Sequence, residues 1–116
     1  MAFKLKNKPY KYNNTPIYYG TLEDGVLGQA NNNGTIIIDE SISPLKAKEV
    51  IKHELVHIDQ MKRGDLNYDN NNVYWKGKVI SRSKINEGNK NLPWEKEAYK
   101  KNKKISNIKQ IINNKN

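Results

Sequence analysis

The chain of 116 residues contains no cysteine and only two histidines. Without cysteine there can be no disulfide and no thiolate ligand, so any metal site must use histidine, aspartate or glutamate. No apolar stretch is long enough to cross a membrane, and residues 1–6 lack the apolar region of a signal peptide. We therefore expect a cytoplasmic or particle-associated protein that does not insert into a membrane.

The composition is modest in apolar residues and strongly basic. Hydrophobic residues make up 35% of the chain and the formal net charge is +9, which predicts one small domain over 1–116 with a compact core. No acidic residue follows Tyr99, so a basic helix end or tail runs over about 100–116. This tail predicts either a solvated end or an arm that contacts nucleic acid or an acidic partner. The tail has no interleaved aromatic residues, which weakens the nucleic-acid interpretation.

Both histidines fall in one five-residue stretch, His53-Glu54-Leu55-Val56-His57, which has the pattern HExxH. Residues four apart on a helix share a face, so both imidazoles can reach one metal ion. Glu54 is then placed to contact a water molecule beside that ion. The alternative is that the histidines are ordinary buried core residues. Two of them at this spacing, with a glutamate next to the first, favour a zinc site.

The HExxH stretch lies in a segment with helix signals at both ends. Ser43 suits the N-cap and Pro44 the first helical position. Gly64 suits the left-handed position just after a helix. No glycine or proline interrupts the segment, and apolar residues recur at helical spacing. The sequence therefore predicts a helix from Pro44 to about Arg63 that is mostly buried and carries the histidines on its flank.

The rest of the chain predicts short strands and a second helix. The strand signals are β-branched and aromatic runs bounded by Asn-Gly or similar turns. The predicted elements are a strand over 17–21, a hairpin of 26–30 and 35–39 closing on Asn33-Gly34, a hairpin over 73–81 within an otherwise irregular 64–91, and a second helix opened by Pro93 and continuing as far as Ile112. This order predicts an α+β fold in which a short N-terminal β-sheet packs on the HExxH helix and a glutamate-bearing helix.

A catalytic zinc ion usually has three protein ligands, and here the third must be an acid. The acids after the HExxH stretch are Asp65, Asp69, Glu87, Glu95 and Glu97. The second helix is the natural carrier, and Glu95 and Glu97 point to different faces of it. Glu95 shares its face with Ala98, whose small side chain permits close helix approach. Glu95 can equally be an N-terminal carboxylate favoured by the helix dipole.

The chain resembles a known family in two stretches. His53 to His57, followed by Glu95-Lys96-Glu97-Ala98-Tyr99, is similar to the gluzincin pattern of zinc metallopeptidases, including small members encoded by tailed bacteriophages. The resemblance covers roughly residues 35–100 and implies a zincin-like fold with Glu95 as the third zinc ligand. Tyr99 is a departure, because many gluzincins have at that position an aspartate that orients the first histidine.

The resemblance implies zinc-dependent hydrolysis of a peptide bond in a peptide or protein substrate. Zinc would activate a water molecule, Glu54 would be the general base, and the oxyanion would need a further donor. The candidates for that donor, or for a supporting role at the site, are Tyr68, Tyr74, Arg82 and Tyr99. The strand 35–39 could pair with extended substrate, as an exposed sheet edge can, whereas its apolar run argues that it is partly covered. The alternative to an active peptidase is a structural or binding module of a phage particle, in contact with other phage structural proteins. Such a module would keep the fold, with or without metal, and have little or no activity.

Overall fold

The structure is a computed structural model that describes residues 10–12, 14–86, 89–101 and 110–112. Its elements form two sheets and two α-helices, which confirms the predicted α+β class. Within the described parts of the chain, neither helix is long and apolar enough to cross a membrane. The elements are β1 (Tyr10–Tyr12), β2 (Thr15–Gly20), β3 (Gly28–Ala30), β4 (Ile36–Asp39), α1 (Pro44–Lys62), β5 (Leu66–Tyr68), β6 (Asn72–Trp75), β7 (Lys78–Ser81), a short 3-10 helix (Arg82–Lys84), α2 (Pro93–Lys101) and β8 (Gln110–Ile112).

Helix α1 begins and ends where its capping residues predict. The Ser43 hydroxyl accepts a hydrogen bond from the Lys46 amide at 3.2 Å, which satisfies one of the free N–H groups of the first turn. The helix stops at Lys62, and Gly64 takes a left-handed conformation with φ of 85°. The HExxH stretch therefore lies in the middle of a regular helix of 19 residues.

The larger sheet has five strands in the order β1-β2-β4-β3-β8. Strands β3 and β4 form the predicted hairpin, closed by the bond from the Asn31 amide to the Thr35 carbonyl at 2.8 Å and by Gly34 with φ of 90°. Strand β2 runs parallel to β4 on its other side. Because β4 is paired on both edges and its isoleucines are buried, the interpretation that its apolar run is covered is confirmed, and pairing of residues 35–39 with substrate is wrong.

The smaller sheet has the order β5-β6-β7. The predicted hairpin over 73–81 is confirmed, and both turn residues have positive φ, 49° at Lys76 and 85° at Gly77, as the twist of a tight hairpin requires. Strand β5 was not predicted: it lies in the segment expected to be irregular, and it pairs antiparallel with β6. The HExxH helix is thus followed by a folded sheet.

Helix α1 packs on the five-stranded sheet with one face. The core there is aliphatic, with Ile17, Ile36 and Ile38 of the sheet against Val50 and Ile51 of the helix. Trp94 of α2 is buried in a second core with the smaller sheet. Helix α2 begins at Pro93 as predicted, but its continuation to Ile112 is wrong, because 110–112 is the strand β8. The flank of α1 that carries the histidines therefore faces α2.

Candidate metal centre

The two histidines of α1 lie side by side in the interior. His53 is 0% and His57 1% exposed, and their ring centroids are 5.2 Å apart in an edge-on arrangement. One helical turn separates them, so both project from the same flank of α1. Two imidazoles that are buried this completely need polar partners, and α2 supplies them.

Glu95, in the first turn of α2, lies against both histidines. One of its carboxylate oxygens, Oε1, is 3.1 Å from His53 Nε2, and the other, Oε2, is 3.3 Å from His57 Nε2. The carboxylate is 1% exposed. Ala98, on the same face one turn later, is fully buried and lets the two helices approach closely. The structure thus brings together the three residues that the sequence predicts as a ligand set.

Glu97 lies on another face of α2 and belongs to an ion-pair network near the surface. Its carboxylate accepts from Arg63 at 2.7 Å and contacts Lys101 at 3.2 Å. The hydrogen bond from Arg63 is the main reason that the pKa of Glu97 falls to about 2. The two glutamates, two residues apart, are thus directed to different partners, as expected for a turn of roughly 200°.

Glu54 is fully buried, and no described residue forms a hydrogen bond with either of its carboxylate oxygens. It lies beside strand β3, where a Cβ at Gly28 would be 3.1 Å from Glu54 Oε2 and only 2.5 Å from the Val50 side chain. Only glycine lets the strand come this close to α1. A buried carboxylate without a partner is expensive, so its presence next to the cluster calls for a ligand or water that it contacts.

The charges of His57, Glu95 and Glu54 influence one another strongly. Burial lowers the pKa of His57, but attraction to Glu95 and the hydrogen bond with it outweigh that and raise the pKa to about 9. Burial raises the pKa of Glu95, yet the His57 charge and both imidazole contacts lower it to about 2. For Glu54, burial dominates and raises the pKa to about 8. At neutral pH without metal, the site therefore holds one ion pair, His57 with Glu95, and a mostly protonated Glu54.

His53, His57 and Glu95 form a group that could hold a metal ion, with one ligand atom from each lying within 4.8 Å of the others. A tetrahedral zinc ion with bonds of about 2.0–2.1 Å places neighbouring ligand atoms roughly 3.3–3.4 Å apart. The Glu95 carboxylate lies 3.1 Å from one imidazole and 3.3 Å from the other, through its two different oxygens, so a shift of a few tenths of an ångström would bring the three groups to that spacing. Two neutral imidazoles and one carboxylate are also a ligand set that zinc accepts, and they leave one position open.

Of the four predicted oxyanion donors, Tyr99 contacts the cluster. Its ring packs edge-on against His53 with 4.6 Å between centroids, so the residue at the position of the gluzincin aspartate makes a ring contact with the first histidine. The other three are engaged around the smaller sheet. Tyr68 accepts from the Asn32 amide and lies under the Arg82 guanidinium, and the Tyr74 hydroxyl donates to Asp69 at 2.7 Å.

The remaining predicted acids and the basic tail lie outside the cluster. Asp65 pairs with Arg63 at 2.8 Å, and Asp69 caps its own loop through the amides of residues 71 and 72. Glu87 lies outside the described residues, as do residues 102–109 and 113–116 of the tail. Lys101, at the start of that tail, is paired with Glu97. The expectation of an arm for nucleic acid or an acidic partner thus remains untested.

The sequence reasoning missed Gln60. This side chain is fully buried, contacts His57 through a 2.8 Å hydrogen bond, and donates to the Trp94 carbonyl of α2 at 3.0 Å. A signal was present, because Gln60 follows His57 by three residues and so shares its helix face. Gly28 was missed as well, since nothing near it in the sequence points to α1.

Comparison of the chain with models of known protein families, with curated proteins and with solved structures finds no match.

Proposed function

We propose that the protein is a zinc-dependent peptidase of zincin type, in which His53, His57 and Glu95 hold the metal and Glu54 is the general base. The observation that carries this proposal is the state of Glu54, a fully buried carboxylate beside the ligand group with no described hydrogen-bond partner. A metal that only stabilised the fold would gain nothing from such a carboxylate. A hydrolytic site needs one, within reach of the attacking water.

When bound, zinc would lower the pKa of a water molecule and polarise the substrate carbonyl. Glu54 would accept a proton from the attacking water and pass it to the nitrogen of the leaving amine, so that the proton count balances. Burial raises the pKa of Glu54 to about 8. A dipositive ion nearby would lower this pKa, so that the carboxyl group loses its proton and can act as a base. Tyr99, the predicted donor that contacts the cluster, is the best placed of the four to approach the oxyanion.

One observation favours a second candidate, a metal-stabilised binding module that would work as a structural part of a phage particle. His53, Glu54, His57 and Glu95 are all between 0% and 1% exposed. A peptide must reach the metal to be cut, whereas a structural metal is normally enclosed by protein. This candidate predicts bound metal and no turnover.

Two measurements on the purified protein separate the candidates. Native mass spectrometry gives the metal content per chain, and a peptide library with and without a zinc chelator gives the peptidase activity. One zinc per chain with chelator-sensitive cleavage supports the peptidase. One zinc without cleavage supports the binding module, and a chain that takes up no zinc at micromolar concentrations refutes both.

His57→Ala should abolish stoichiometric zinc binding. At zinc concentrations about 100 times the Kd, binding adds about 2.7 kcal/mol to the free energy of unfolding, or about 10 °C or more in Tm for a domain of this size. The wild-type Tm should rise by this amount on adding zinc, and the variant Tm should not. Lys48→Ala, at an exposed position on the same helix, is the control and should respond like wild type. Full zinc occupancy in His57→Ala would refute the ligand assignment.

Zinc binding at neutral pH should release between one and two protons. His57 has a raised pKa of about 9 and must lose its proton to bind metal, and Glu54, with a pKa of about 8, loses its own when positive charge arrives. Apparent zinc affinity should therefore increase up to about pH 9 and then level off. Calorimetric titration with zinc in two buffers of different ionisation enthalpy counts the protons. A count of zero would contradict the charge state described for the metal-free site.

A further inference from the structure

We infer that Gln60 is a positioning residue of the metal centre: it fixes which nitrogen of His57 faces the metal and couples that histidine to the helix that carries Glu95. The inference rests on the metal site of the proposed function. Gln60 is not one of the ligands, and the central test of its role does not require metal.

The orientation of the Gln60 amide follows from its partners. One end of the amide lies 3.0 Å from the Trp94 carbonyl oxygen and 2.9 Å from a carboxylate oxygen of Glu97. Both of these accept: a backbone carbonyl has no hydrogen to donate, and the Glu97 carboxylate is paired with the Arg63 guanidinium through two hydrogen bonds. The end that faces them must therefore be the NH2 group. The amide oxygen is left to face His57.

This orientation determines the proton position on His57. The Gln60 oxygen is 2.8 Å from His57 Nδ1 and can only accept, so Nδ1 must carry a hydrogen and donate it. The other ring nitrogen, Nε2, faces Glu95 at 3.3 Å. A metal ion between the three ligands would therefore meet Nε2, while Nδ1 keeps its hydrogen and donates it to Gln60. Gln60 thus fixes the ring orientation in which Nε2 can bind metal.

The same side chain also ties α2 to α1. Trp94, whose carbonyl accepts from Gln60, immediately precedes Glu95. Glu97, the second acceptor, is itself held by two bonds from Arg63, at 2.7 and 3.1 Å. The Arg63–Glu97 pair is partly exposed, with side-chain exposures of 35% and 25%. This ion pair holds the amide of Gln60 in its orientation. The amide in turn orients both His57 and the start of α2.

Gln60→Met tests the role, because methionine fills a similar volume and offers neither the acceptor nor the donors. We expect zinc affinity to fall roughly 10- to 100-fold, as for loss of a residue that orients a ligand. Lys48→Ala, at an exposed position on the same helix, is the control and should bind zinc as tightly as wild type. A Gln60→Met protein that binds zinc as tightly as wild type would overturn the inference.

Nitrogen-15 NMR of the imidazoles supplies a readout that simple packing would not change. In metal-free wild type, Nδ1 of His57 should carry a hydrogen that exchanges slowly with solvent, because Gln60 accepts it, and in Gln60→Met this hydrogen should exchange faster. A wild-type His57 with no hydrogen on Nδ1 overturns the inference even if the variant fails to fold. This spectrum is recorded without metal, so it can refute the role of Gln60 while zinc binding stands. Conversely, a chain with the protected Nδ1 hydrogen that takes up no zinc would refute the proposed function alone.

Discussion

Glu54→Gln should retain zinc and fold but lose hydrolysis by about 100-fold or more, because the amide keeps the shape of the side chain and cannot take a proton. Zinc content and peptide cleavage are measured on the same preparation, so loss of metal cannot be mistaken for loss of base. Equal activity in the variant would exclude Glu54 as the base. No activity in either protein, with zinc bound in both, would favour the binding module.

The same substitution should change how stability depends on pH. The pKa of Glu54 is about 8 in the folded chain, against 4.5 for a glutamate in an unfolded chain. Between these pH values the folded chain keeps a proton that the unfolded chain has released. Below pH 4.5 this difference contributes nothing. As pH rises towards 8 it destabilises the metal-free fold, by on the order of 3 kcal/mol at pH 7. Removing the carboxyl group should therefore flatten the fall in the stability of the metal-free protein between these pH values.

The pH dependence of the free energy of unfolding reports the ionisation of Glu54. Other effects of the substitution, such as a buried amide that lacks a partner, change the stability by the same amount at every pH. Chemical denaturation of the metal-free proteins at several pH values measures this pH dependence. If wild type and Glu54→Gln showed the same pH dependence, Glu54 would have to be ionised or solvated in the folded chain, in disagreement with its burial.

Local signals in the sequence were sufficient for the starting points of both helices and for the two hairpins that we predicted, β3–β4 and β6–β7, but not for the hairpin of β1 with β2. Ser43, Pro44 and Gly64 act within one or two turns of α1, so their effect does not depend on the rest of the fold. The turn at Lys76-Gly77 is equally local. The parallel pairing of β2 with β4 and the three-residue strand β5 depend on tertiary contacts, which periodicity does not reveal.

The candidate site was predictable where one helix presents its residues at fixed spacing, and less so where separate elements meet. His53, Glu54 and His57 follow from helix geometry alone. Glu95 needed the resemblance to gluzincins, because five acids could be reached by chain connectivity. Gly28 lies in another layer, and its contact with Glu54 is visible only once β3 is placed on α1. The extent of α2 was misjudged because lysine- and isoleucine-rich sequence suits a helix, while 110–112 gains backbone bonds by pairing with β3.

Glu95→Gln and Glu97→Gln should differ sharply in zinc affinity, although the two residues are neighbours on one helix turn. Glu95 contacts both imidazoles and is 1% exposed. Its replacement removes the carboxylate ligand, and we expect a loss of roughly 100-fold or more. Glu97→Gln weakens a partly exposed ion pair with Arg63, worth about 0.2–1 kcal/mol, and should keep zinc affinity within a few-fold of wild type.

Competition with a chromophoric zinc chelator measures both affinities, and the metal-free Tm of each variant shows whether the fold survives. A large loss for Glu97→Gln alone would overturn the choice of Glu95. A loss for neither would leave two protein ligands or move the third ligand to Glu87, because Asp65 and Asp69 are engaged outside the cluster. The metal-free proteins add an independent check: Glu95 is the main influence that raises the pKa of His57, so that pKa should fall well below 9 in Glu95→Gln. It should stay near 9 in Glu97→Gln, because Glu97 is directed towards Arg63.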